Sequence, residues 1–229
     1  MKTIIITGAN GNLGTAVTQK FLDSGYQVVA TVVSEADKAA MPKHEQLDTR
    51  VVNLTDPQES EALVQGAIAQ YKQVHGAVML VGGYAGGNIE KTAVADINKL
   101  MMLNFETAYN VTRPLLTHLQ EMNYGKLVYI GARPALNPAE GKANIAYALS
   151  KSLLFRLAEF INAGAKKTNI TATVVAPSTL DTPLNRKNMP DTDPAVWVKP
   201  EQLAEILEFV CGDKSDVLRE TVLKVYNNA

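Results

Sequence analysis

The sequence predicts a doubly wound α/β fold, a mostly parallel seven-stranded sheet with helices on both faces. Seven short apolar or β-branched runs recur along the 229 residues. Their apolarity is nearly continuous, as required of strands covered on both faces. Helical patterns separate most of them, and the short connections favour right-handed crossovers.

The first run, residues 4–7, leads into a helix over 14–21 that stops at Ser24 and Gly25. Runs at 28–33, 51–54 and 77–81 follow, with a helix over 57–72 capped by Asp56 and opened by Pro57. Residues 94–122 form one long helical pattern in which Pro114 predicts a kink or two abutting helices. Helices over 144–163 and 200–210 and runs at 127–130, 172–175 and 222–225 complete the set. No linker divides the chain, so residues 1–229 are expected to form one domain. The Pro-rich stretch 177–200 reads as a substrate-side lid, because only one helix and one strand follow it.

Composition removes several classes of function. Lys plus Arg number 22 and Asp plus Glu 23, a net charge of −1 without a basic block. Neither nucleic acid nor an anionic membrane is therefore an expected partner, and a small molecule is. The longest uncharged stretch, 76–89, is too short to span a bilayer and is rich in glycine. Three isoleucines after Lys2 and Thr3 are too few for a secretory signal, so the mature chain is expected to begin at Met1. Cys211 is alone, and His44, His75 and His118 lack ligand spacing, which argues for a reducing, cytoplasmic setting and against a metal.

Two motifs carry chemistry. The first strand runs into Gly8-Ala9-Asn10-Gly11-Asn12-Leu13-Gly14 and then a helix. Such glycines permit a tight turn and close approach of a pyrophosphate to a helix N-terminus, the Rossmann-type dinucleotide arrangement; a purely structural turn is the alternative. The second motif is Tyr147 and Lys151, four residues apart and hence on one helix face. An ammonium about 4 Å from a phenol at an effective dielectric near 20 is worth roughly 4 kcal/mol, enough to bring the phenol from about 10 to near neutrality. A buried Tyr beside a surface Lys on an amphipathic helix is the plain alternative.

Taken together, these residues resemble the short-chain dehydrogenase/reductase family over essentially the whole chain. The resemblance also rests on Asn104 in Leu103-Asn104-Phe105 and on a Pro177-led loop after the sixth strand. It implies that Tyr147 is the acid/base, that Lys151 binds the nicotinamide ribose and lowers the tyrosine pKa, and that Asn104 holds a proton-relay water. One departure is informative. The family's serine at the end of the fifth strand is missing from Gly131-Ala132-Arg133-Pro134; alignment by the strand puts Ala132 there, and counting back from Tyr147 puts Pro134 there.

The quinonoid dihydropteridine reductase branch also lacks that serine, and the chain is similar to it at 81–88, 131–133 and 179–190. This similarity implies a flat, easily reduced ring as substrate, with Tyr84 offering an aromatic face or merely covering the sheet, and Ala132, Arg133 and Leu180 lining the ring pocket. Arg186 and Lys187 are either substrate groups or solvated lid charges. The family pattern further implies that Gly82 and Gly83 border the cofactor, that Asn53 and Leu54 flank the adenine, and that Pro177 and Thr182 approach the nicotinamide side.

A carboxylate is absent from Val33, where it would favour NAD, while Ser34 and Lys38 offer contacts to a 2′-phosphate. The expected cofactor is NAD(P)H with a lean to NADP. Analogy implies a homodimer, or else a homotetramer, through the helices at 94–122 and 144–163, where Leu153, Leu154, Leu157 and Phe160 form an apolar stripe. Three readings stand: a reductase of a quinonoid dihydropterin or similar ring, a general carbonyl or quinone reductase, and a non-catalytic NAD(P)-sensing regulator.

Overall fold

Strands β1 (Thr3–Thr7), β2 (Gln27–Val32) and β4 (Gly76–Met79) are buried at every position, so only a sheet covered on both faces accommodates them. A computed structural model describes residues 1–228. With β3 (Leu47–Val51), β5 (Tyr124–Ile130), β6 (Asn169–Pro177) and β7 (Val222–Val225), they form one seven-stranded sheet in the order β3-β2-β1-β4-β5-β6-β7. Every adjacent pair is parallel.

Because side chains alternate across a strand, each strand feeds two cores. Ile5, Val29, Ala77, Leu127 and Val174 face one apolar layer, completed by α3 (Pro57–Tyr71), α5 (Thr107–Met122) and α8 (Ile145–Gly164). Ile4, Ile6, Val28, Val78 and Val128 face the other, closed by α1 (Asn12–Asp23) and α10 (Pro200–Cys211). The strand order reverses between β1 and β4, which opens a crevice at the carboxyl ends of the strands.

The structure corrects several expectations. The third strand lies at 47–51 and not 51–54, because an edge strand need not be apolar. It carries an Asp48–Arg50 ion pair of 2.7 Å, whereas Val52 and Leu54 are buried in the loop beyond it. A short helix α2 (Glu35–Ala40), capped by Ser34, precedes it. Two more short helices, α6 (Arg133–Leu136) and α7 (Pro138–Gly141), follow β5.

The long helix over 94–122 is interrupted, but not at Pro114. α4 (Val94–Met101) passes through a π-helical turn at Met102–Glu106 into α5, which runs through Pro114 without a break. A proline inside a helix costs about 3 kcal/mol. Burial of Val111, Leu115 and Leu119 returns roughly 1.5–3 kcal/mol each and outweighs it.

The segment 177–200 is strapped at its base by backbone bonds. The Asp181 N–H donates to the Val198 carbonyl at 2.8 Å and the Val198 N–H to the Thr179 carbonyl at 2.9 Å. Trp197 is buried beneath, and α9 (Pro183–Asn188) stands above the strap.

Close packing of α1 on the first turn depends on Gly14. A Cβ there would lie 2.1 Å from the Gly8 carbonyl oxygen and 2.8 Å from the Ala9 carbonyl, backbone atoms with no room to yield. Gly14→Ala is expected to destabilise the fold by about 3 kcal/mol and to weaken nucleotide binding, read by denaturant unfolding and ligand titration.

Candidate active site

The turn after β1 is held in shape by two threonines whose role the sequence does not advertise. Thr7 Oγ1 accepts from the Leu80 N–H at 3.0 Å, and Thr31 Oγ1 accepts from the Gly8 N–H at 3.3 Å. The Ala9 N–H donates to the Thr31 carbonyl at 3.0 Å. The turn is thereby tied to both neighbouring strands. Gly11 caps α1 without a side chain, and no acidic residue occupies the first helical turn. Asn10, Gly11 and Asn12 are exposed and Leu13 is half-buried, so the amides that open α1 face a mouth suited to a pyrophosphate.

Asn104 lies in the π-helical turn and is 1% exposed. Its Oδ1 accepts from the Gly83 N–H at 2.7 Å. Its Nδ2 donates to the Gly83 carbonyl at 3.0 Å and to Ser150 Oγ at 2.8 Å. Both amide hydrogens are thus spent on protein groups. Ser150 in turn donates to the Tyr147 carbonyl at 2.9 Å. A Cβ on Gly82 would fall 2.6 Å from Asn104 Oδ1 and 3.2 Å from Lys151 Nζ, which places both groups against that glycine.

Tyr147 and Lys151 share a face of α8, but in the free chain they do not form the expected acidic phenol. Burial, with a smaller contribution from the neighbouring Tyr84, pushes the Tyr147 phenol up to about 12. Burial brings the Lys151 ammonium down to about 8, and Nζ donates to the Ile130 carbonyl at 2.7 Å. The loss of solvent therefore sets the direction for both groups; proximity alone does not acidify the phenol.

Tyr84 is placed beside Tyr147, its ring centroid 5.1 Å away and edge-on at 71°. Its hydroxyl donates to Asn144 Oδ1 at 2.6 Å. Ala132 is buried at the start of α6 and brings no hydroxyl. Arg133 pairs with Glu140 at 2.8 Å and lies 5.5 Å over the Tyr226 ring. Leu180 is half-buried, packs against the apolar layer under α1 and α10, and bridges to Val198 through its backbone. Arg186 pairs with Asp181 and stays largely exposed.

The other expected residues are more dispersed. Thr182 Oγ1 accepts from the Asn185 N–H and caps α9, while Pro177 closes β6. Asn53 accepts from Thr55 beyond β3, and the Leu54 side chain is buried. Ser34 donates to Asp37 Oδ2 at 2.5 Å, so the serine expected to meet a 2′-phosphate holds a carboxylate.

A model of the short chain dehydrogenase family matches residues 2–193. The chain belongs to that family. It is 22% identical to the 3-oxoacyl-[acyl-carrier-protein] reductase FabG of Thermotoga maritima, over 98% of this chain and 96% of the relative. It is 26% identical to the acetoacetyl-CoA reductase of an Acinetobacter species, over 80% and 76%. Among solved structures, ElxO with NADP bound superposes with a TM-score of 0.92 at 19% identity, covering 98% and 96% of the two chains. The aldohexose dehydrogenase of Thermoplasma acidophilum gives 0.83 at 21%, covering 98% and 92%. These likenesses bear on the fold. Among the described residues no helix is long and apolar enough to cross a membrane.

Lys151 should cost the free chain stability. Its folded pKa lies below the unfolded 10.5, so the penalty is full below pH 8 and is relieved as pH rises from about 8 towards 10.5. A fall of that size corresponds to about 3 kcal/mol, and losing the bond to Ile130 returns about 1. Lys151→Met is therefore expected to stabilise the free chain by about 2 kcal/mol at pH 7, with the gap to the parent chain narrowing through that window in urea unfolding.

Proposed function

We propose that this chain is an NAD(P)H-dependent reductase in which Tyr147 gives a proton to a flat, easily reduced ring as the ring receives a hydride. A quinonoid dihydropterin is the substrate this reading favours. The observation that carries it is the convergence of Asn104, Lys151 and Gly82 one helical turn from Tyr147, at the crevice where the strand order reverses.

The residues fit a dinucleotide. The uncapped start of α1 accepts a pyrophosphate, Gly8, Gly11 and Gly14 keep the approach open, and Gly82 brings no side chain against the buried Lys151 ammonium. Bound there, the dinucleotide supplies the hydride. Lys151 binds ribose hydroxyls and, once paired with polar groups in place of its dry surroundings, favours the charged state that helps Tyr147 release its proton. Asn104 serves as a positioning residue that holds the loop after β4 on α8. Tyr84 presents an aromatic face to the ring.

The missing strand-end hydroxyl supports a ring substrate over an unactivated ketone. Losing one oxyanion donor typically costs a factor of about 100 to 1,000, which an electron-poor ring tolerates better. The names of the relatives favour a second reading, reduction of a 3-oxoacyl thioester. Turnover of quinonoid dihydropterin and of acetoacetyl-CoA, each with NADH and NADPH, separates the two. Tyr147→Phe is expected to lower kcat by about 100-fold or more while nucleotide affinity is kept. A non-catalytic sensor would instead bind nucleotide and turn over neither probe.

NADP is favoured by Lys38 and by the NADP bound in ElxO, and opposed by the Asp37 carboxylate on Ser34. Asp37→Asn is expected to shift the ratio of NADPH to NADH affinity about tenfold towards NADPH in fluorescence titration.

A homodimer through α8 completes the proposal. The apolar stripe divides, with Leu154 turned into the core while Leu149, Leu153 and Phe160 remain exposed on one face. Phe160→Glu is expected to give a monomer in sedimentation, against a dimer for the parent chain.

A further inference from the structure

When a hydride reaches a polar double bond, negative charge gathers on the heteroatom before its proton arrives. Pre-placed donors aimed at that atom supply most of the stabilisation in such sites. Tyr147 is one donor, and charge stabilisation of this kind calls for a second.

The nearby serine hydroxyls are committed elsewhere. Ser150 is fully buried and gives its hydrogen to the Tyr147 carbonyl. Ser152 gives its hydrogen to the Ala148 carbonyl at 2.6 Å, and Ser178 to the Tyr226 carbonyl at 2.7 Å. Residues 131–134 contain no hydroxyl.

Tyr84 differs in its exposure and in giving its hydrogen to a side chain instead of a backbone carbonyl. It is 68% exposed, its ring packs edge-on against Tyr147, and its hydrogen goes to a side-chain oxygen at the entrance of α8. Its loop is fixed on both sides. Upstream, Gly83 is held through N–H and carbonyl by Asn104; downstream, the Gly87 N–H donates to the Ala143 carbonyl and the Gly87 carbonyl accepts from the Ile145 N–H. The phenol is therefore a pre-placed group on a pinned loop, with one hydrogen to redirect.

We propose that the Tyr84 hydroxyl is the second hydrogen-bond donor to the substrate heteroatom that gains charge, turning from Asn144 to the substrate when the site is filled. This rests on the reading of Tyr147 as proton donor and deepens it. In the balanced step the substrate would gain a hydride at one end of its double bond, from a reduced nicotinamide dinucleotide that is left oxidised, and the Tyr147 proton at the other. Solvent restores the Tyr147 proton, and Tyr84 keeps its own hydrogen throughout. One hydrogen bond replaces another, and Asn144 Oδ1, at the half-exposed start of α8, takes water.

The test uses the full chain with quinonoid dihydropterin and acetoacetyl-CoA as probes. Tyr84→Phe keeps the ring and loses only the donor; kcat is expected to fall about 100-fold with KM within about threefold. Tyr84→Leu is expected to raise KM as well, since it also removes the aromatic face. Asn144→Ala removes the resting acceptor and is expected to keep at least about a third of the parent kcat. Nucleotide titration confirms that each variant is folded.

A Tyr84→Phe kcat within about threefold of the parent overturns the proposal and leaves Tyr84 a stacking surface. An Asn144→Ala loss as large as that of Tyr84→Phe also overturns it, because the hydroxyl would then act as a loop tether. Tyr147→Phe run in parallel reads the underlying assignment separately: retained turnover there removes Tyr147 as donor, while the Tyr84→Phe kcat still decides the role of Tyr84. Absence of parent turnover on both probes overturns both.

Discussion

Three segments remote in sequence meet at the side-chain amide of Asn104. The amide closes a two-bond ring with the backbone of Gly83, after β4, and gives its remaining hydrogen to Ser150 on α8. Burial raises the stakes, because each bond lost there would strand a polar group away from water at about 1–3 kcal/mol. The loop carrying Gly82 and Tyr84, the helix carrying Tyr147 and Lys151, and the π-helical turn itself are thereby fixed relative to one another. The geometry of the crevice follows from that one side chain more than from any charge.

The electrostatics at rest run opposite to a simple proximity argument. At an effective dielectric near 20, an ammonium near a phenol favours the phenolate. Here both groups are largely out of water, and desolvation disfavours each charged form. Lys151 finds one neutral partner, the Ile130 carbonyl, and none of opposite charge. The site is thus poised: polar groups arriving in the crevice would alter the solvation that sets both pKa values.

Much of the fold is legible in the sequence because double-sided burial writes itself as continuous apolar runs. β1, β2 and β4 are read this way, and the glycine turn is read from its spacing. β3 is not, because Asp48 and Arg50 satisfy each other at an edge where apolarity is not required. The break before α5 is invisible because a π-turn leaves no periodic mark, while Pro114, which does, is overridden by packing. Tyr147 and Lys151 are legible as types at a spacing, and Asn104 through the family resemblance. Their protonation states are not, since burial is set by remote segments. Ser150, between Tyr147 and Lys151, is not legible, because a serine inside a helix carries no signal until its partner is known.

The π-helical turn at Met102–Glu106 has a consequence for how this chain can change. A widened turn is in effect a single extra residue lodged in an otherwise regular helix, and each residue advances a helix by about 100°. α4 upstream and the core-facing side of α5 downstream are thereby phased independently, with Asn104 at the seam. Removing one residue from the seam would restore regular winding and force a choice between keeping Val111, Leu115 and Leu119 inward and keeping Asn104 on Gly83. Substitutions along α4 can accumulate without rotating the downstream core, whereas length changes at the seam cannot. The segment is permissive to spelling and intolerant to counting.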